Sequence, residues 1–120
     1  MKKNRHKNYE ILNLIGYGLS KFNDEFIKEF GFITKTAFYN FCVENKIADT
    51  IGTVKNRMDL FDNFFPENER RGWWQKGDAY IHRKIFIDSL FGNESVKDYA
   101  NIVKLQIKNS FSVKNIEYQA

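Results

Sequence analysis

Residues 95–108 read SVKDYANIVKLQIK, and the spacing of their apolar side chains decides the fold class. Apolar residues recur every three to four positions, which places them on one side of an α-helix. Ser95 precedes this pattern and Asp98 follows three residues later, a near match to a capping box that predicts the first turn. The predicted buried stripe consists of Val96, Tyr99, Ala100, Val103 and Ile107. The opposite, polar face consists of Lys97, Asn101, Lys104 and Lys108.

Five further helices are predicted on the amino-terminal side of this stretch. Short polar side chains favour the first turn of a helix, whereas glycine and proline favour its end. In the first of these helices, Gly16 and Gly18 are expected to end or bend the chain. The predicted helices occupy residues 9–21, 24–30, 35–46, 54–65 and 79–91. Their expected caps are Asn23 or Asp24, Thr34, Thr53 and Asp78. Their expected ends are Gly31, Pro66 and Gly92.

The chain is therefore expected to form one mainly α domain, a compact bundle of five to six short helices. Its 120 residues suffice for a single hydrophobic core, and twelve phenylalanines supply apolar area for it. With one proline, scattered glycines and no internal repeat, no boundary between two domains is visible. We interpret residues 1–7 as a basic flexible arm, residues 8–110 as the helical domain, and residues 111–120 as a C-terminal tail or a short strand.

The net positive charge of the chain lies in its first seven residues. The formal net charge is +4, but residues 8–120 contain as many acidic as basic side chains. The predicted arm is thus able to attract phosphates, while the folded body is neutral as a whole. The basic residues of the arm are Lys2, Lys3, Arg5 and Lys7.

One segment of the neutral body, residues 70–84, is locally basic and contains both tryptophans. Arginine and lysine neutralise phosphates, and tryptophan stacks on bases or anchors a protein interface. Trp73 and Trp74 therefore indicate binding of nucleic acid or of another acidic partner. The cations that surround them are Arg70, Arg71, Lys76, Arg83 and Lys84, against the single acid Asp78.

A second candidate site lies in residues 47–58, which read IADTIGTVKNRM. The stretch resembles the helix-turn-helix of sigma-factor and response-regulator DNA-binding domains, in its Ile-Ala-x-x-Ile-Gly and Gly-Thr-Val-Lys-Asn-Arg pieces. The resemblance implies that the first piece ends a supporting helix and the second opens a recognition helix in the major groove. An asparagine side chain can form hydrogen bonds with the edge of adenine, and arginine can form them with guanine or with phosphate. The DNA contacts that the resemblance implies are Thr53, Lys55, Asn56 and Arg57.

Cysteine and histidine are too few for a recognisable catalytic or metal site. Cys42 is the only cysteine, which excludes an internal disulfide and suits the reducing cytoplasm. His82 is the only histidine outside the arm, so neither a zinc site nor a Ser/His/Asp set is predicted. No apolar run approaches the length of a membrane span. We expect a cytoplasmic protein that is not an enzyme and has no cofactor, metal or membrane partner.

The candidate residues also have structural interpretations. Lys55 and Arg57 can pair with nearby acids or stay solvated on the helix surface. One of the two adjacent tryptophans is expected to be buried in the core. Arg83 and Lys84 can lay their apolar stems over the core and keep their charged ends in water. The deciding observation is whether the arginines of residues 57, 70, 71 and 83 converge on one face.

Three functions are compatible with these features. The leading hypothesis is a small nucleic-acid-binding module, with DNA as the expected target, such as a bacterial or phage regulator. The alternative is a protein-interaction or inhibitor module that docks on a nucleic-acid enzyme through Trp73 and Trp74. A third hypothesis, compatible with the first, makes the chain the recognition domain of a larger bacterial or phage protein, such as a modification or restriction enzyme.

Overall fold

In a computed structural model, which describes residues 8–68, 70 and 77–110, the chain forms helices and their connections. The described α-helices are α1 (Tyr9–Phe22), α2 (Asp24–Glu29), α3 (Lys35–Glu44), α4 (Ile51–Asp62), α5 (Gly77–Phe91) and α6 (Val96–Ser110). A short 3-10 helix, Pro66–Asn68, lies between α4 and α5. The prediction of a mainly α fold with five to six short helices is therefore confirmed. The predicted arm and the predicted tail or strand lie outside the described residues.

The centre of the fold is α1, which packs against α2, α4, α5 and α6. Leu12, Ile15 and Leu19, the predicted apolar stripe of this helix, have no exposed surface. All residues between 15 and 20 are also buried, so α1 is enclosed on every side rather than along one stripe. The final helix closes this enclosure, because the Tyr99 hydroxyl donates a hydrogen bond of 2.6 Å to the Leu14 carbonyl oxygen.

Two glycines allow neighbouring helices to approach α1 closely. A Cβ atom on Gly16 would lie 2.8 Å from the Arg57 carbonyl oxygen in α4, and one on Gly18 would lie 2.5 Å from the Phe26 ring in α2. The helix continues through both glycines to Phe22. Of the predicted alternatives, that these glycines end or bend the helix, the first is therefore wrong. Helix packing at these positions outweighs the low helix propensity of glycine.

The predicted boundaries of α4 are wrong by about one turn. The helix begins at Ile51 and its cap is Thr50, whose hydroxyl accepts a hydrogen bond of 3.2 Å from the Thr53 backbone N–H. Thr53 therefore lies inside the first turn and does not cap it. The helix ends at Asp62, and Pro66 begins the 3-10 helix instead of closing α4. A threonine three residues earlier satisfies the same unpaired N–H groups, so the local pattern admits both starts.

Several other predicted boundaries agree with the structure, but the predicted start of α5 is wrong, because the helix begins at Gly77 and Asp78 lies inside its first turn. The Thr34 hydroxyl caps α3 by accepting from the Ala37 N–H at 3.1 Å. Gly31 follows α2 with a φ of 89°, a left-handed conformation that glycine adopts without strain. Asn23 precedes α2 but makes no side-chain capping hydrogen bond. α5 ends at Phe91, directly before Gly92.

The final helix follows its predicted pattern with one exception. Ser95 caps α6 by accepting from the Asp98 N–H at 3.1 Å, and the predicted stripe packs into the core. Lys104, expected on the polar face, is only 1% exposed. Its Nζ lies 5.6 Å from the centre of the Phe30 ring. The core therefore extends around α6 farther than a single stripe, and the lysine side chain packs beneath an aromatic ring.

Two glycine substitutions should change stability in opposite directions. Gly16→Ala should lower the free energy of unfolding by about 1–3 kcal/mol, because the new methyl group meets the α4 backbone. Gly52→Ala should raise it by about 0.5–1 kcal/mol, because Gly52 is exposed in α4 and its nearest neighbour would be the Thr50 hydroxyl oxygen at 3.6 Å. Urea unfolding of both variants measures the difference. Equal changes of the same sign would contradict the close packing at Gly16.

Candidate nucleic-acid interface

Two of the predicted arginines meet at the first residue of α1. The guanidinium carbons of Arg57 and Arg83 each lie 5.1 Å from the centre of the Tyr9 ring. Arg83 Nε donates a hydrogen bond of 2.9 Å to the Tyr9 hydroxyl. Arg57 Nη1 donates to Asn13 Oδ1 at 2.7 Å and to the Tyr9 carbonyl oxygen at 3.3 Å. Helices α4 and α5 thus bring two cations to one tyrosine, and we call Tyr9, Arg57 and Arg83 the arginine cluster.

The arginine cluster carries positive charge that nearby acids do not neutralise by contact. Within the described residues, no carboxylate forms an ion pair with Arg57 or Arg83. Burial raises the pKa of Tyr9, but hydrogen bonds from Arg83 and Tyr80 outweigh it and leave the pKa below its ordinary value. The same hydrogen bond to Tyr9 raises the pKa of Arg83. Glu10 also raises the pKa of Arg83 without forming an ion pair with it among the described residues, so a phosphate would add a counter-charge in direct contact with the cluster.

Asn8, which follows the predicted arm in the sequence, is fixed beside this cluster. Asn8 is buried, and its Nδ2 donates to the carbonyl oxygens of Lys46 and Ile47 at 3.0 and 2.9 Å. These bonds hold the start of α1 against the beginning of the connection that follows α3. Residues 1–7, which include four basic side chains, precede Asn8 in the sequence.

The predicted DNA-contacting residues of α4 lie on different sides of that helix. Lys55 and Asn56 are exposed, whereas Thr53 is half-buried and its hydroxyl lies 3.1 Å from that of Thr50. Arg57 turns towards α1 and enters the arginine cluster. α3 packs against α4, and residues 45–50 connect them. The first two turns of α4 therefore present an amide and an ammonium group to solvent beside the cluster.

Arg70 belongs to a separate, structural network at the other end of α1. Its Nε and Nη2 each donate to a different oxygen of the Asp62 carboxylate at 2.9 Å. Nη1 also donates to Asn23 Oδ1, and Nη2 donates to the Leu19 carbonyl oxygen at 3.3 Å. Leu19 is ten residues beyond Tyr9, which corresponds to about 15 Å along a helix. Arg70 therefore does not join the arginine cluster, and its guanidinium is committed to the fold.

The Asp62 carboxylate is fully buried and is satisfied by several donors. Besides Arg70, it accepts from the Ser20 hydroxyl at 2.7 Å and from Asn68 Nδ2 at 2.9 Å. Asn68 Nδ2 also donates to the Ser20 carbonyl oxygen at 3.0 Å. A buried charge is tolerated only when paired and hydrogen-bonded in this way. The network joins α1, α4 and the 3-10 helix.

Lys84 is likewise engaged within the fold. Its Nζ lies 2.7 Å from Asp88 Oδ2 and 5.7 Å from the centre of the Phe65 ring. Asp88 also accepts a hydrogen bond from the Tyr17 hydroxyl. Burial is the main cause that raises the pKa of Tyr17, and the Asp88 carboxylate raises it further. The remaining predicted contacts, Arg71, Trp73, Trp74 and Lys76, lie outside the described residues.

Sequence reasoning did not select three residues that organise these sites. Tyr9 carried one signal, since it is an aromatic residue placed directly after the basic arm. Asn13 interrupts the apolar pattern of the first helix, which is typical of a buried polar contact. Asp62 lies four residues after the buried Met58, on the apolar side of α4. None of these signals identifies the partner, because each partner is distant in the sequence.

The described residues provide no grouping for other chemistry. Among residues 8–68, 70 and 77–110, no three His, Cys, Asp or Glu side chains are placed to hold a metal ion. Burial raises the pKa of the Cys42 thiol and disfavours its thiolate form. No helix in this part of the chain is long and apolar enough to cross a membrane. No protein-family model, curated protein or solved structure matches the chain.

Replacing Asp62 should test whether Arg70 is structural. Asp62→Asn should lower the free energy of unfolding by about 3 kcal/mol, because the guanidinium loses its buried counter-charge. Asp59→Asn, in the same helix, is the control. Burial raises the pKa of Asp59, so its ionised form is disfavoured in the fold and neutralisation should leave stability unchanged or slightly higher. Urea unfolding at neutral pH measures both, and equal losses would refute the structural role.

Proposed function

We propose that the chain is a nucleic-acid-binding module, with DNA as its target. The observation that carries this proposal is the arginine cluster, in which Arg57 and Arg83 meet at Tyr9 without an ion-paired acid among the described residues. The basic segment 1–7 directly precedes Asn8, which is fixed beside the cluster. Cations from three parts of the chain can therefore act on one stretch of phosphate backbone.

The proposed roles differ among the residues of this surface. Arg83 uses Nε to contact Tyr9, so its remaining N–H donors can bind phosphate. Arg57 holds the cluster together through its hydrogen bond to Asn13. It therefore adds positive charge to the surface but does not extend towards the DNA. Lys55 and Asn56 are exposed on α4 and are suited to phosphate and to a base edge respectively. This division would give general affinity at the cluster and sequence preference along α4.

The proposal is narrower than the set of residues that the sequence indicates. It omits Arg70 and Lys84, because the carboxylates of Asp62 and Asp88 already neutralise them. Arg71, Trp73, Trp74 and Lys76 remain predictions, and stacking of the tryptophans on bases would add to the same function. A recognition domain within a larger bacterial or phage protein would use the same surface.

The salt dependence of binding should identify Arg83 as a phosphate contact. Affinity for duplex DNA should fall steeply with salt, and Arg83→Gln should flatten the slope of log affinity against log salt by about 0.9 for one lost phosphate contact. Lys97→Gln removes an exposed lysine of α6 and should leave the slope unchanged. Fluorescence anisotropy across a salt series measures both variants. Absence of binding to duplex and single-stranded probes at low salt would refute the proposal.

A protein partner is the second candidate function, because α5 exposes large apolar side chains. Ile85, Phe86 and Leu90 are 55%, 60% and 54% exposed, and α5 follows the tryptophan segment in the sequence. An exposed apolar group of this kind is typical of an interaction surface. The expected partner would be a nucleic-acid enzyme.

Ile85→Ser distinguishes the two functions. If the chain binds a protein, this change should weaken the complex strongly, and the affinity should depend little on salt. If the chain binds phosphate, Ile85→Ser should leave DNA affinity unchanged and Arg83→Gln should dominate. Parallel anisotropy titrations of both variants provide the comparison.

A further inference from the structure

We propose that a pocket between α1, α5 and α6 binds a small amphipathic monocarboxylate, such as a medium-chain carboxylic acid. The pocket has a volume of about 380 Å³, which lies within the range of small-molecule sites. It opens to solvent on one side and is mostly apolar. Its apolar wall consists of Leu14, Phe86, Ile87, Leu90 and Phe91.

The polar end of the pocket contains an unused buried donor. Asn13 lines the pocket and is only 1% exposed. Its Oδ1 accepts from Arg57, whereas its Nδ2 is buried and makes no hydrogen bond with the described chain. Asn13 contributes to the lowered pKa of Tyr9, and its Nδ2 nevertheless makes no hydrogen bond of ordinary geometry with the described residues. Buried N–H groups are almost always paired, so Nδ2 of Asn13 is suited to donate to a ligand oxygen at this end of the pocket.

Arg83 supplies the charge for that oxygen. It lines the same pocket, and within the described part of the chain its guanidinium donates one side-chain hydrogen bond, from Nε to the Tyr9 hydroxyl. The guanidinium fork suits a planar carboxylate, and the amide N–H of Asn13 suits a second contact to the same group. A carboxylate at this end would pair Arg83 and satisfy Asn13 together.

The remaining lining residues favour a ligand with one charge and an apolar body. Glu10 is an exposed acid on the pocket lining, and its repulsion disfavours a doubly charged phosphate more than a carboxylate. Phe86 and Leu90 are more than half exposed, and an alkyl or aromatic chain would cover them. Ligand binding would thus account for the exposed apolar side chains of α5 that line this pocket, without a protein partner.

This inference goes beyond nucleic-acid binding, although Arg83 borders both surfaces. Ligand binding requires the pocket and no DNA, so it can be measured on the free protein. Loss of DNA binding would leave the carboxylate site intact, and an empty pocket would leave the arginine cluster able to bind phosphate. The two proposals therefore fail independently.

Titration with octanoate tests the site, with octylamine and octan-1-ol as probes of equal chain length. Calorimetry should show saturable one-to-one binding of octanoate, about tenfold tighter than that of either other probe. Arg83→Gln and Asn13→Asp should each weaken octanoate by about tenfold or more. Asn13→Asp keeps an oxygen for Arg57, but it replaces the N–H donor with a second oxygen and adds a negative charge, and both changes oppose a bound carboxylate. Chemical shifts of backbone amides should change around the pocket.

Two equally exposed leucines, one inside and one outside the pocket lining, control for nonspecific hydrophobic binding. Leu90→Ser removes part of the pocket wall and should weaken octanoate several-fold, whereas Leu105→Ser, equally exposed on α6 but outside the lining, should not. Both positions are solvent-exposed, so the variants should fold even if Asn13→Asp does not. Equal binding of the three probes, insensitivity to Arg83→Gln, or equal effects of the two leucine changes would overturn the proposal.

Discussion

The close approach of neighbouring helices to α1 is the constraint on which the rest of the structure depends. A helix enclosed on all sides needs positions where another backbone or ring can come within contact distance, and Gly16 and Gly18 provide them. α4 occupies the first position and α2 the second. Because both contacts use the backbone of α1, its side chains are free to fill the spaces towards α5 and α6. The positions of α2, α4, α5 and α6 around α1 follow from this close approach.

The enclosure of α1 also determines how the arginines are used. Polar groups on a buried helix need partners from neighbouring elements, since water does not reach them. At the end of α1, Ser20 and the Leu19 carbonyl lie near Asp62, and Arg70 completes that site as a structural ion pair. At its beginning, Arg57 and Arg83 meet with no acid of residues 8–68, 70 or 77–110 in ion-pair contact. The arginine at the end of α1 is neutralised within the fold, whereas the two arginines at its beginning are proposed to bind a ligand.

Local patterns predicted the elements better than their partners. The spacing in α6 and the caps at Thr34 and Ser95 depend on residues within one or two turns, and the structure confirms them. Thr50 and Thr53 are both good caps, so the choice between them depends on how α3 and α4 pack. Lys104 is buried by Phe30, which no local pattern contains. Patterns of a few residues cannot reveal such distant pairs.

For the candidate site, too, the sequence indicated residue types but not their partners. Sequence indicated Arg70 and Arg83 through the basic tryptophan segment and Arg57 through the resemblance to a helix-turn-helix, and neither pattern shows which arginine has a buried partner. Their difference arises from Asp62, which is paired with one of them and not with the others.

The hydrogen bond from Tyr99 to Leu14 joins residues 85 positions apart, so the last helix completes the surroundings of the first. During synthesis, α1 emerges from the ribosome long before α6 and is left with an uncovered apolar side. A nascent chain in that state offers a binding site to chaperones until the final helix docks.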